Sequence, residues 1–198
     1  MTPEFDFAPA AAALATVVAG IADAQLSAPT PCADTTVGDL LAHVVDLTEA
    51  FRQAATKEAV GSSAAPTTGP ENPLVADWRV RIPRQLDALV EGWRVDSAWD
   101  GDTEAGGVSM PAAVMARVAL DELVIHAWDL ARATGQDLTV ADADIDILLE
   151  FLRETPAEGT PGLFGPVVLV SGDAPRLDRL LALTGRTANW TAPADSTV

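Results

Sequence analysis

Residues 110–135 read MPAAVMARVALDELVIHAWDLARATG. This stretch decides the fold class. Apolar residues recur at three- and four-residue spacing, Pro111 sits where the first helical turn tolerates proline, and Gly135 follows as a natural left-handed stop. A helix from Met110–Pro111 to Thr134 is expected. With His126 at zero on a helical wheel, Met115, Ala119, Leu123, Leu130 and Ala133 fall within about 60° of it. Glu122 lies about 40° and Asp129 about 60° to one side. Arg117, Asp121 and Trp128 point the other way. A polar trio thus projects from the apolar side of the helix, where an unpaired carboxylate costs several kcal/mol.

The same local pattern occurs once more. Asp39-Leu40-Leu41-Ala42-His43-Val44-Val45-Asp46 and Glu122-Leu123-Val124-Ile125-His126-Ala127-Trp128-Asp129 both read acid-Leu-x-x-His-x-x-Asp, and these are the two histidines of the chain. The earlier octet belongs to an expected helix from Thr36 to about Lys57, with an apolar stripe of Val37, Leu40, Val44, Leu47 and Phe51. Thr36 and Asp39 have capping-box spacing. His43 falls at the edge of the stripe, and Asp46 is placed to orient an imidazole N–H from outside the ligand set.

Two readings of this constellation stand. One is a divalent metal site of His43, Glu122 and His126 with an open position and with Asp46 and Asp129 as outer partners, a donor set suited to catalytic zinc or non-haem iron. The other is a pair of core-edge histidines, each hydrogen-bonded to a nearby acid.

The remaining elements follow from periodicity and breakers. A first helix is expected over 8–26, then a proline-rich connector over 27–34. A Gly/Ser/Pro/Thr loop over 61–73 precedes a third helix over 74–93, bent at Pro83. Residues 97–109 form a turn-rich crossing that can hold a short hairpin. A fifth helix over 141–153, a loop over 155–165, a short strand over 167–170 and a final helix over 175–183 complete the chain, with a frayed tail from Thr187 apart from Trp190. The expectation is a mainly all-α, single helical domain over 1–198, with a C-terminal extension over about 160–198.

The formal charge of −17 and pI of 4.2 repel nucleic-acid phosphates and anionic membrane surfaces. Cys32 is the single cysteine, so no internal disulfide can form. It reads as a packing residue more than as a reactive thiol. The start lacks a basic n-region, and a cytoplasmic location is expected. Val124 and Trp128, read as an outer apolar face, make a homodimer contact an expectation.

Pro29-Thr30-Pro31-Cys32 with Thr36-Val37-Gly38-Asp39-Leu40-Leu41-Ala42-His43-Val44 resembles the start of the actinobacterial DinB-like metal-binding proteins, relatives of the mycothiol-dependent maleylpyruvate isomerase N-terminal domain. The segment from Glu122 to Gly135 resembles their second signature. Gly162-Leu163-Phe164-Gly165-Pro166 and Arg179-Leu180-Leu181-Ala182-Leu183-Thr184-Gly185-Arg186 resemble their C-terminal segment. Thr35 stands where many relatives carry tryptophan. The resemblance implies a four-helix bundle that holds a divalent metal, usually zinc, with nickel or iron as other choices. Its ligands carry over to His43, Glu122 and His126. It also implies mycothiol or a similar small thiol as cosubstrate for a transferase or isomerase acting on a small electrophile. The alternative is a non-catalytic metal-binding helical module.

Overall fold

The computed structural model describes residues 2–64, 72–160 and 164–192. Four helices form the core: α1 (Ala8–Gly20), α2 (Val37–Thr56), α3 (Trp78–Trp93) and α4 (Ala112–Thr134). Packing of α2 on α3, α1 on α4, α1 on α3 and α2 on α4 closes the bundle. A hairpin of β1 (Asp102–Ala105) and β2 (Val108–Pro111) lies against α2 and α4. Then α5 (Asp142–Phe151) packs on α4, and α6 (Arg176–Leu183) packs on α5. The mainly helical bundle with a C-terminal extension is the architecture expected from sequence.

The local chemistry of α2 fixes its ends. Asp39 N donates to Thr36 Oγ1 at 3.2 Å and Thr36 N donates to Asp39 Oδ2 at 3.1 Å, a reciprocal capping box. At the other end Lys57 takes a left-handed φ of 63° and its Nζ donates to Ala98 O at 2.9 Å. Trp93 on α3 donates from Nε1 to Phe51 O of α2 at 3.1 Å, and Trp99 donates to Trp93 O at 2.7 Å. Two large rings are thus buried with their N–H groups satisfied, as burial of an indole requires.

The hairpin is antiparallel, with Thr103 opposite Met110. Gly106 and Gly107 both have positive φ, 59° and 77°, the requirement of a tight two-residue turn. Because Met110 and Pro111 belong to β2, α4 begins at Ala112 and Pro111 is its cap, later than the expected start at Met110–Pro111. Gly135 ends α4 in the left-handed region, with Gln136 N bonded to Ala131 O.

Several boundaries differ from expectation. The first helix stops at Gly20, not Leu26: Ile21 turns extended and buries its side chain, and Arg79 of α3 donates to its carbonyl at 2.7 Å. A single turn of 3-10 helix follows over Asp23–Gln25. The third helix starts at Trp78 instead of Leu74 and runs unbroken through Pro83, which lies near its N-terminal end. The fifth ends at Phe151. Residues 167–170 form no strand: among the described residues no strand pairs with them, Val167 N and Val168 N bond to Ala157 O and Ala182 O, and Leu169 is 96% exposed. Parts of the expected loop over 61–73, of the Gly162–Pro166 segment and of the tail lie outside the described residues.

The wheel reading of α4 needs a larger correction. Val124 and Trp128 are only 2% and 5% exposed, and Asp121 is buried as well. The wheel assumed one covered face, but α1, α2, α5 and the hairpin all pack on this helix. A helix apolar around its circumference is a central helix. Val124 and Trp128 therefore belong to the core and offer no surface for a second subunit.

Candidate metal centre

The capping box starts α2 at a fixed register, and that register places His43 at the edge of its buried stripe, facing α4. On α4, Glu122 and His126 are one turn apart and share a face. His43, Glu122 and His126 each offer one ligand atom, and these atoms all lie within 4.8 Å of one another. Glu122 Oε2 is 2.9 Å from His126 Nε2 and 3.6 Å from His43 Nε2. The two imidazole rings stand nearly perpendicular, 87° between planes.

These spacings suit an ion. Donors about 2.0–2.1 Å from a tetrahedral zinc are about 3.3–3.5 Å apart, and the two measured distances bracket that range. Glu122 Oε2 is shielded from solvent and, despite its short approach to His126, is not aligned for a hydrogen bond. The two imidazoles are the charge partners of this buried oxygen in the absence of an ion, and a cation between the three donors would satisfy it as well. His126 is already oriented for this role. Its Nδ1 lies 3.1 Å from Asp129 Oδ2, and a proton held there would leave Nε2, which faces Glu122 and His43, free to bind an ion once the ring is neutral.

The expected outer partners divide. Asp129 is fully buried and bonded to His126. Asp46 instead accepts a hydrogen bond from Asn72 Nδ2 at 2.6 Å, and His43 Nδ1 is buried with no hydrogen-bond partner among the described residues. The structure therefore brings His43, Glu122, His126 and Asp129 together and turns Asp46 to another neighbour.

One residue of the site was missed by the wheel. Arg186, just past α6, reaches Asp129 with Nη2 at 3.0 Å from Oδ2 and Nε at 3.4 Å from Oδ1. Arg132, three residues after Asp129 on α4, donates instead to Trp190 O at 2.7 Å. The signal for Arg186 was present in the Thr184-Gly185-Arg186 end of the C-terminal segment, which local helix patterning cannot connect to α4. Cys32, half-buried and free, lies within electrostatic range of Arg186.

Charge explains the protonation of the metal-free site. Burial works to raise Glu122, but His126 and His43 outweigh it and hold the carboxyl well below the usual range. Burial opposes a charged His126, yet its contacts with Asp129 and Glu122 win and push it up to about 10. Asp121, buried and next to Glu122, is pushed up to about 8 although Arg186 acts against the rise. Asp121, Glu122 and Asp129 bring three carboxylates, and Arg186 offsets one of them. Protons on His126 and Asp121 balance the rest, and a divalent ion displacing both would leave the same sum.

Comparison with known proteins identifies the family and the fold. Residues 7–131 match the family model described as the mycothiol maleylpyruvate isomerase N-terminal domain. Two uncharacterized proteins of Mycobacterium tuberculosis, from strains CDC 1551 and H37Rv, are each 30% identical over 192 residues, covering 88% of this chain and 92% of theirs. Crystal structures of the mycothiol-dependent maleylpyruvate isomerase and of its histidine-to-alanine mutant superpose with TM-scores of 0.53 and 0.54 at 18% identity. The match covers 72% of this chain and 63% of the isomerase chain, so the shared part is the fold of the bundle. By the span of the family model and the identity of its relatives, the chain belongs to the family of the mycothiol maleylpyruvate isomerase N-terminal domain.

Proposed function

We propose that this protein binds one divalent cation, zinc first with nickel or iron as other choices, through His43, Glu122 and His126. We further propose that it uses mycothiol or a similar small thiol in transfer or isomerisation of a small electrophile. One observation carries the reading: three potential ligand atoms on two helices converge within 4.8 Å around a buried carboxylate oxygen that lacks a hydrogen bond. Family membership supports the thiol, because the isomerase that shares this fold is described as mycothiol-dependent.

A divalent ion held there supplies a Lewis acid and keeps a coordinating thiol deprotonated. The chain's own residues do the rest. Asp129 holds a proton on His126 Nδ1 and so keeps Nε2 available as a ligand. With three protein ligands, one position remains for a substrate atom. His126 and Asp129 are buried, which strengthens their charge interaction, while the His43 and Glu122 side chains stay partly open to solvent, as entry of a substrate requires.

Elemental analysis of tag-free protein tests the first half, with a stoichiometric ion expected in the native chain and none in His126→Ala. A thiol-transfer assay with mycothiol and several electrophiles tests the second. Equal rates for the metal-loaded native chain and His43→Ala overturn the enzymatic reading and leave a metal-binding module.

A further inference from the structure

The metal reading stops at α4, but the geometry runs on into the C-terminal extension. Asp129 is the hinge. It is 0% exposed, and its Oδ2 accepts from both His126 Nδ1 at 3.1 Å and Arg186 Nη2 at 3.0 Å, while Oδ1 faces Arg186 Nε at 3.4 Å. The Arg186 fork therefore fixes the plane of the carboxylate, and that plane fixes where the His126 ring points.

The guanidinium is itself locked. Nη1 donates to Thr184 O at 2.9 Å, and the Arg186 backbone N–H bonds to Leu181 O at 2.9 Å. Leu180, Leu181 and Ala182 of α6 are buried. Between them Gly185 adopts φ +78°, the left-handed turn that directs the chain end of α6 toward α4, and a Cβ there would lie 3.1 Å from the Gly165 backbone. The approach of Arg186 is thus built by backbone geometry and not by a mobile surface side chain.

We infer that Arg186 is a positioning residue of the metal centre. Acting through Asp129, it holds His126 in the orientation and tautomer that present Nε2 to the ion, so the extension after the matched family domain completes the site. This rests on the metal reading proposed above. It assigns Arg186 no contact with the ion or with substrate. An ordinary structural ion pair would secure α6 to α4 without altering the ion's surroundings, and that difference can be measured.

The test uses the full-length chain, Co(II) as the probe, and the variants Arg186→Gln, Arg186→Lys and His126→Ala. Co(II) affinity is measured by chelator competition, the visible spectrum reports ligand geometry, and thermal unfolding without metal reports fold. Arg186→Gln is expected to bind Co(II) about 10–100-fold more weakly, with shifted visible bands, as loss of an outer partner does. Arg186→Lys keeps the charge but lacks the fork, and is expected to fall between. Native affinity and native bands in Arg186→Gln overturn the inference, whatever happens to its melting temperature. Loss of fold in both Arg186 variants also overturns it, because Arg186 would then serve the fold alone. A native chain that binds no Co(II) sinks the metal reading itself, a result distinct from either.

Discussion

The rings of His43 and His126 meet edge to face with centroids 5.1 Å apart, although one belongs to α2 and the other to α4. Each ring is carried by a helix whose register is set elsewhere: by the Thr36–Asp39 cap for α2, and by β2 and Gly135 for α4. The contact is therefore a product of bundle packing, and its disruption has measurable effects.

Substituting the ligand side chains has a graded outcome. His43→Ala, Glu122→Gln and His126→Ala are each expected to lower metal affinity by more than the roughly 10–100-fold that an outer partner contributes. His126→Ala also leaves Glu122 and Asp129 without their shared partner. It is expected to cost about 3–5 kcal/mol in the metal-free protein. Chelator competition and urea unfolding separate the two effects. A His126→Ala protein with native metal content would remove the site from consideration.

Metal uptake is expected to depend on pH in a defined direction. Metal-free His126 titrates near 10, above its ordinary 6.5. Its contribution to stability is fully present below 6.5 and is lost as pH rises through about 10. An ion needs the neutral ring, so apparent affinity is expected to rise over that window, with proton release on binding. Calorimetric titrations in buffers of different ionisation enthalpy count the released protons. A pH-independent affinity from 6.5 to 9 contradicts this account.

Asp144 on α5 tests a second buried carboxyl. It lies in the first turn of α5, where the helix dipole favours a negative charge, yet its side chain is buried, with Oδ2 lacking a hydrogen-bond partner. Burial wins, aided by Asp6, and pushes its carboxyl up to about 6 from 3.8. The native state therefore holds this proton more tightly than the unfolded chain. Stability from this group is greatest below 3.8 and declines as pH rises through about 6. Asp144→Asn is expected to flatten that decline and to stabilise the protein by about 1–2 kcal/mol at pH 8. Urea midpoints at pH 4, 6 and 8 decide it.

Gly185 and Gly101 form a matched pair. Both have positive φ, but a Cβ at Gly185 meets the Gly165 backbone while one at Gly101 meets nothing within 4 Å. Alanine at Gly101 is expected to cost about 1 kcal/mol for the left-handed backbone alone and to leave metal affinity unchanged. Alanine at Gly185 is expected to cost more and to weaken metal binding by displacing Arg186. Equal metal affinity in the two variants would break the link between the α6 turn and the centre.

The legible part of this protein was the part written in local spacing. The N-terminal cap of α2 and the stop at Gly135 each depend on residues a few positions apart, and they occur where the pattern placed them. The convergence of His43, Glu122 and His126 was legible because each sits on a helix with an apolar stripe to orient it. What failed depended on neighbours distant in the chain. The wheel could not know that Val124 and Trp128 are buried, that Arg79 of α3 reaches the Ile21 carbonyl, or that Asn72 claims Asp46. A short β-branched run at 167–170 lacks a strand because a strand needs a partner, and a single segment carries no information about one.

Splitting three donors between α2 and α4 has a mechanical consequence. An ion gripped by both would act as a removable cross-link across a long stretch of intervening chain, whose closure already carries a large entropic cost. Only the folded state could grip it, so free metal would set how often the bundle opens. Chelator treatment should then speed limited proteolysis within α2 and α4, making cation supply a control on the lifetime of this protein as well as on its chemistry.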